Sequence, residues 1–234
     1  MQQLAIPPMP DDEPASYPWL QGEHVTVIGD TGTGKTFLIS RLVRLRQYVV
    51  VFKTKGDPDD DSKWRGFKRT RFAKTLRDPK YSRIVLEPEY RYQAREGWLA
   101  LEHAFRQGGW TFVIDEQWHA ERLGLKAQIE RMLTQGRSLN LSAVIGMQRP
   151  VQATRFAISQ STHLFTFRLE GRDTKTVADS TTPRIVPIIE SLRGHDFAYY
   201  NRARRSVATG NAKSLGRVIL SPFSIDTGAA GTDN

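Results

Sequence analysis

The segment Gly29-Asp30-Thr31-Gly32-Thr33-Gly34-Lys35-Thr36 has the spacing G-x-x-x-x-G-K-[ST] of a loop that holds phosphate. Glycines let the backbone curl until successive N–H groups face anionic oxygens, and the helix that follows presents its positive end to the same point. The chemistry expected is binding of a nucleoside triphosphate, ATP, together with Mg²⁺. Lys35 would reach the β and γ phosphates, and the Thr36 hydroxyl would ligate the metal. The loop follows the apolar run VTVI and precedes the apolar run FLISRLVRL, the strand and the helix that such a loop needs on its two sides.

A second chemical feature is the apolar run Trp110 to Ile114, which ends in Asp115 and Glu116. A buried strand places such acids at its carboxyl end, where ligands bind in open α/β sheets. Asp115 would hold the Mg²⁺ shell, and Glu116 would polarise an attacking water as general base. The alternative is that Asp115 caps the following helix and Glu116 is a surface acid. The adjacent pair of acids points towards hydrolysis, since a kinase or a nucleotide switch need not carry the second one.

The third feature is the stretch from Gln135 to Pro150, GRSLNLSAVIGMQRP after the glutamine. If its apolar strand lies beside the acidic strand, Gln148 arrives near the γ phosphate, where an amide can donate to phosphate and accept from water. Its alternative is a strand-terminal polar cap. Arg137 precedes this strand and so belongs at the opposite end of the sheet, far from its own nucleotide but open to that of a neighbour. An arginine supplied across an interface stabilises transition-state charge; a surface or helix-capping arginine is the alternative, and Arg149 is a second candidate for the finger.

These groups need a scaffold, and the sequence suggests one. Short β-branched runs at His24–Ile28, Tyr48–Phe52, Arg83–Leu86, Trp110–Asp115, Ser142–Met147, His163–Leu169 and Asp196–Tyr200 alternate with helical patterns. Phe37, Leu38, Val43 and Leu45 share roughly one helical face, and Trp98, Leu101, Ala104 and Phe105 form another apolar stripe. Lys126 to Gln135 reads as a helix closed by Gly136, and Arg172 to Ser180 as a further one. The expected class is α/β with a mostly parallel central sheet flanked by helices. Residues 1–17, rich in proline, read as a flexible arm, 18–226 as one domain with a basic insertion near 57–80, and 227–234 as a disordered tail.

The combination of GDTGTGKT, FVIDE and GRSLNLSAVIGMQRP resembles the FtsK/HerA superfamily of DNA-pumping P-loop ATPases, over roughly residues 24–170. The resemblance implies a P-loop NTPase fold of the RecA/additional-strand type. It implies Lys35 and Thr36 on phosphate and magnesium, Asp115 and Glu116 as the Walker B pair, Gln148 as a sensor and Arg137 as an arginine finger. Met147 stands where threonine is common in that superfamily. In size and in its lack of accessory segments the chain is similar to the genome-packaging ATPases of tailless icosahedral viruses with internal membranes, with plasmid and conjugative DNA-transfer ATPases as close relatives. The implied partners are double-stranded DNA, further copies of the chain in a ring, with a hexamer expected, and a portal or vertex protein of a capsid. The implied location is the host cytoplasm and the virion vertex.

Composition agrees with a polyanionic partner. Lys and Arg number 34 against 25 Asp and Glu, a formal net charge of +9. Lys63, Arg65, Lys68, Arg69 and Arg71 interleave with Trp64, Phe67 and Phe72, so cations could follow a phosphate backbone while rings stack on bases or ride a groove. A solvated basic helix or a docking surface for a neighbouring subunit is the alternative, and the acidic run Asp57 to Asp61 sits directly before it. The cluster Arg202, Arg204 and Arg205 reads as a turn. The absence of cysteine excludes disulfides, thiolate metal sites and a cysteine nucleophile. No apolar run reaches the ~18 residues of a membrane span, and the N-terminus lacks the basic-then-apolar order of a signal peptide, so a soluble intracellular protein is expected. The histidines have no metal-ligand spacing. Trp19 is expected in the core, with stacking on adenine as the alternative.

Overall fold

Val25–Ile28, Val49–Phe52, Thr111–Ile114 and Ser142–Met147 are buried along their whole length, as strands covered on both faces must be. The computed structural model describes residues 4–5, 16–17, 19–56, 60–151 and 155–213. In chain order the strands are β1 (Leu4–Ala5), β2 (Ser16–Tyr17), β3 (Val25–Ile28), β4 (Val49–Phe52), β5 (Lys68–Thr70), β6 (Arg83–Leu86), β7 (Thr111–Ile114), β8 (Ser142–Met147), β9 (His163–Phe167), β10 (Asp196–Asn201) and β11 (Ser206–Asn211). The helices are α1 (Lys35–Leu42), α2 (Asp60–Lys63), α3 (Gln93–Gln107), α4 (Gln117–Ala120), α5 (Lys126–Gln135), α6 (Phe156–Gln160), α7 (Gly171–Ser180) and α8 (Ile185–Ser191).

Nine strands form one sheet in the order β11-β10-β9-β3-β8-β7-β4-β6-β5. From β9 to β5 every pairing is parallel, and the β9-β10-β11 edge is antiparallel. The expected mostly parallel α/β sheet is therefore present. β8 lies between β3 and β7, with Ile28 opposite Met147 and Ile114 opposite Ile145. One additional strand thus separates the strand that feeds the phosphate loop from the strand that ends in two acids, and all three release their chain at the same end of the sheet.

Alternation along each strand feeds two cores. Val25, Val27, Val51, Val113 and Val144 pack with Leu38, Ile39 and Leu42 of α1, while Phe112, Ile114 and Ile145 pack with Leu101 of α3 and Ile129 of α5 on the other face. Trp19 belongs to the α1 side and is fully buried, with its Nε1 donating to the Glu23 carbonyl at 3.0 Å and the Arg46 guanidinium 3.8 Å above its ring. The core reading of Trp19 holds, and stacking on adenine does not.

The helix ends where expected, α5 closing at Gln135 with Gly136 in the C-cap position. The Gly136 backbone is right-handed (φ −62°, ψ −32°), and the chain continues through the 3-10 turn Gly136–Leu139 to Asn140, which takes the left-handed conformation at φ 53°. Glycine is required at 136 by proximity: a Cβ there would stand 2.9 Å from the Leu141 carbonyl oxygen. β5 and β11 are two strands that the sequence pattern does not mark. β5 is a three-residue edge strand of exposed and half-buried polar residues, and β11 has the same pattern over half its length, so neither carries the apolar run that marks an inner strand. The cluster Arg202 to Arg205 is the turn between β10 and β11, with Arg205 at φ 50°. Within the expected arm, Leu4–Ala5 and Ser16–Tyr17 pair as a short antiparallel ladder. The remaining arm residues, the acids Asp57 to Asp59 and the tail 227–234 lie outside the described residues.

Candidate nucleotide-binding and catalytic site

The carboxyl ends of β3, β8 and β7 open into one cleft of about 540 Å³. Thr31, Gly32, Gly34, Lys35 and Thr36 of the loop line it, together with Asp115, Glu116 and Gln148. The loop turns into α1 through Gly34 at φ 106°, a conformation that costs little only for glycine. Lys35 is nearly buried and folds back across the loop, its Nζ donating to the Asp30 carbonyl at 2.7 Å. Burial pulls the Lys35 ammonium below its usual pKa, against the opposing pull of Glu116, Asp115 and Asp30. Thr33 ties the loop internally by donating its hydroxyl to the Asp30 carbonyl at 2.8 Å.

Thr36 and Asp115 meet directly: the Thr36 hydroxyl donates to Asp115 Oδ1 at 3.2 Å. Two hard oxygen donors side by side, one from the first turn of α1 and one from the end of β7, fit a small divalent cation that keeps several waters and borrows phosphate oxygens. Among the described residues there is no cluster of three or more carboxylates and histidines that would form an all-protein cage. The capping role for Asp115 is not what forms, since Glu116 holds the N-cap position of α4 and makes no side-chain cap bond.

The Glu116 side chain is 12% exposed, and burial pushes its carboxyl above the usual glutamate range. Lys55 and Lys35 oppose that shift, as does the backbone N–H of Gln148, which donates to the carboxylate. Lys55 Nζ stands 3.8 Å from Glu116 Oε2. The end of β8 therefore touches the acid that ends β7, and the strand adjacency on which the reading of Gln148 depends is present. Gly146 makes this approach feasible, because a Cβ on it would fall 2.2 Å from the Asp115 carbonyl oxygen. Gly146→Ala is expected to force Asp115 off its position, lowering stability by about 1–3 kcal/mol as overpacking does and weakening nucleotide binding; thermal melts with and without ATP measure both.

The two arginines lie apart. Arg137 is exposed on the 3-10 turn before β8, at the amino end of the sheet, where its charge acts on Glu23 and His24 rather than on the cleft. His24 itself is held at about 4, by burial first. Arg149 follows Gln148 and is anchored within its own chain, Nε donating to Asp173 Oδ2 of α7 at 3.1 Å, while Asp173 Oδ1 accepts from the Val151 N–H at 3.1 Å.

The basic insertion is built differently from the sequence expectation. Trp64 is only 2% exposed and packs in the α1-side core, edge-on to Phe67 at 5.4 Å, so it is not placed to stack on a base. The run reads as an aromatic-cation surface because spacing alone does not tell a core ring from a free one. Lys63 lines the nucleotide cleft. Arg69 and Arg71 pair with Glu87 and Glu89 at 3.2 and 3.1 Å, Lys68 lies over the Tyr81 ring at 5.3 Å, and Arg65 is exposed.

Sequence reasoning missed three cleft residues. Lys55 follows β4 and faces Glu116; its position just beyond an apolar strand was the available signal. His195 and Lys213 flank the β10–β11 hairpin and also line the cleft, His195 Nδ1 donating to the Thr33 carbonyl at 2.9 Å. They are far from the loop in sequence, and no local pattern marks them.

This sheet order, with a phosphate loop after β3, acids after β7 and a polar exit from the strand between them, defines a P-loop NTPase fold. No family model matches the chain. The DNA packaging ATPase P9 of Enterobacteria phage PRD1 is 31% identical over 160 residues, covering 66% of this chain and 68% of that protein. The chain belongs to the family of that ATPase. The genome packaging NTPase B204 of Sulfolobus turreted icosahedral virus 2, solved with AMPPCP, shares the fold with a TM-score of 0.65 at 14% identity, over 81% of this chain and 97% of that one. The plasmid coupling protein TrwB, solved with GDPNP, shares it with a TM-score of 0.54 at 13% identity, over 82% and 86%.

Proposed function

We propose that this protein is an ATP-hydrolysing motor that translocates double-stranded DNA, and that its task is packaging a viral genome. The observation that carries the reading is the convergence of Thr36, Asp115, Glu116 and Gln148 on one cleft in a chain of the P9 family. The N–H groups of the 29–36 loop and the Lys35 ammonium bind and orient the triphosphate. Thr36 and Asp115 would hold Mg²⁺, which supplies Lewis-acid neutralisation of phosphate charge when bound. Glu116, whose carboxyl burial holds above the ordinary glutamate range, takes the proton of the water that attacks the γ phosphate. Gln148, whose backbone already touches Glu116, positions that water and registers loss of the γ phosphate.

In this reading the motor is a ring, with a hexamer expected, and Arg137 at the far end of the sheet reaches a neighbour's nucleotide. Arg149 is the second candidate, although its bond to Asp173 holds it to its own chain. Residues 18–226 act as the single motor domain. A capsid portal or vertex protein is the docking partner, and the motor works in the host cytoplasm and at the virion vertex. No helix of the described residues is long and apolar enough to cross a membrane.

The test is ATP turnover with and without duplex DNA across a salt series. DNA is expected to stimulate turnover, and stimulation to fall steeply with salt, because phosphate contacts release counterions. A flat response would replace pumping with ATP-gated docking of a partner.

A further inference from the structure

We propose that the exposed turn Tyr90-Arg91-Tyr92 is a contact for the phosphate backbone of double-stranded DNA, and that the buried Gln93 beside it couples this contact to Glu116. The inference rests on the DNA-motor reading above and adds where the duplex is felt.

The turn leaves β6, whose strand is parallel to β4 and β7, so it emerges at the cleft end of the sheet. Tyr90 is 80% exposed, and the Arg91 side chain is 72% exposed with its guanidinium 4.7 Å over the Tyr92 ring. Arg71 and Arg91 both approach the single carboxylate of Glu89, at 3.1 and 3.5 Å, which leaves the rim net positive. A duplex hides its base faces, and arginine and tyrosine then donate to phosphate oxygens, the contacts that position a protein without reading sequence. A packaging motor requires that indifference to sequence.

Gln93 gives the turn its importance. It is 5% exposed, its Nε2 donates to the Thr54 carbonyl at 2.9 Å, and its Oε1 lies 3.3 Å from His119 Nε2, which can donate to it. Thr54 precedes Lys55, which faces Glu116 at 3.8 Å. His119 sits on α4, the helix that starts from Glu116. One buried amide therefore holds both the β4 exit that carries Lys55 and the helix that starts from Glu116, while its backbone continues the exposed turn. A shift of the turn on phosphate is transmitted to Lys55 and to the start of α4 together. Gln93 is a positioning residue.

The experiment uses the full chain and a fluorescent duplex, measuring anisotropy over a salt series and the ratio of DNA-stimulated to basal kcat. The double variant Tyr90→Ala/Arg91→Ala is expected to bind the duplex more weakly, with a salt slope reduced by about 1 for the lost arginine contact. Gln93→Leu is expected to bind the duplex as the native chain does yet to lose the stimulation ratio even at saturating DNA. Native affinity and slope in the double variant overturn the contact, as does a change in assembly size with unchanged DNA binding per subunit, which makes the turn a subunit contact. A native stimulation ratio in Gln93→Leu overturns the coupling. If Gln93→Leu does not fold by thermal melt, the double variant on exposed positions still decides the contact, and Gln93→Glu, which keeps the acceptor for His119 but loses the donor to Thr54, decides the coupling. Stimulation of the native chain with no effect in any variant removes this proposal alone, whereas no salt-sensitive stimulation of the native chain removes the motor reading and this inference with it.

Discussion

Glu116→Gln is expected to bind ATP and to hydrolyse it at least ~10²-fold more slowly than the native chain, the lower end of what a positioned base contributes. The substitution keeps the volume and an oxygen that can accept the Gln148 N–H, so the cleft keeps its shape while losing its proton acceptor. Two further consequences separate this from a structural defect. Because burial raises the Glu116 pKa, native turnover should decline on acidification at a higher pH than an ordinary glutamate would give, and the variant's residual rate should lack that limb. The sign for stability runs the other way. A raised acid pKa means the folded chain binds more protons than the unfolded one, so stability increases as pH falls through that window. The ionised carboxylate is a net cost to the folded chain, and Glu116→Gln should melt no lower than the native chain. Phosphate release, nucleotide binding and a melt on the same preparation check all three, and normal turnover would remove Glu116 as the base.

The two chemical poles of the site were legible because each is carried by local sequence. A phosphate loop is contiguous, and an apolar strand that ends in Asp115-Glu116 announces its own carboxyl end. The placement of β8 between β3 and β7 was readable only as a condition, since strand order is a property of long-range pairing. The resemblance to a known superfamily supplied that order, and the ladders Val27 to Gly146 and Val113 to Val144 realise it. What stayed hidden is what pairing alone creates. Lys55 and Gln93 reach the cleft or its surroundings from the exits of β4 and β6, and His195 from the entry of β10, and each looks like an ordinary polar residue in its own segment. Trp64 failed in the opposite direction, because a tryptophan between lysine and arginine reads as surface until a core is there to receive it. The helix end at Gly136 was legible, but the reason for the glycine was not. Glycine at a helix terminus usually means a left-handed cap, but here it makes room for the Leu141 carbonyl, a contact with a residue the helix itself does not specify.

Lys35→Ala is expected to reduce ATP hydrolysis by about 10²–10³-fold or more, as removal of a preorganised charge from a phosphoryl-transfer site does. Lys35 lies inside the loop, and its Nζ already sits on the Asp30 carbonyl, so truncation removes the one cation that the loop itself supplies while leaving the backbone N–H cradle intact. Nucleotide binding should therefore weaken less than turnover falls. Burial lowers the Lys35 pKa, so in the native chain the ammonium deprotonates at a lower pH than a free lysine and an alkaline decline in rate should begin early; Lys35→Arg, which stays charged, should lack that decline if it retains measurable turnover. The same variant tests Arg137. A subunit with Lys35→Ala cannot use its own site but can lend its arginine, and one with Arg137→Ala can use its site if a neighbour lends. Mixed assemblies should then recover part of the activity that each variant lacks alone. Confirmed co-assembly without recovery would remove Arg137 as the trans-acting finger and leave it as a surface charge near Glu23 and His24.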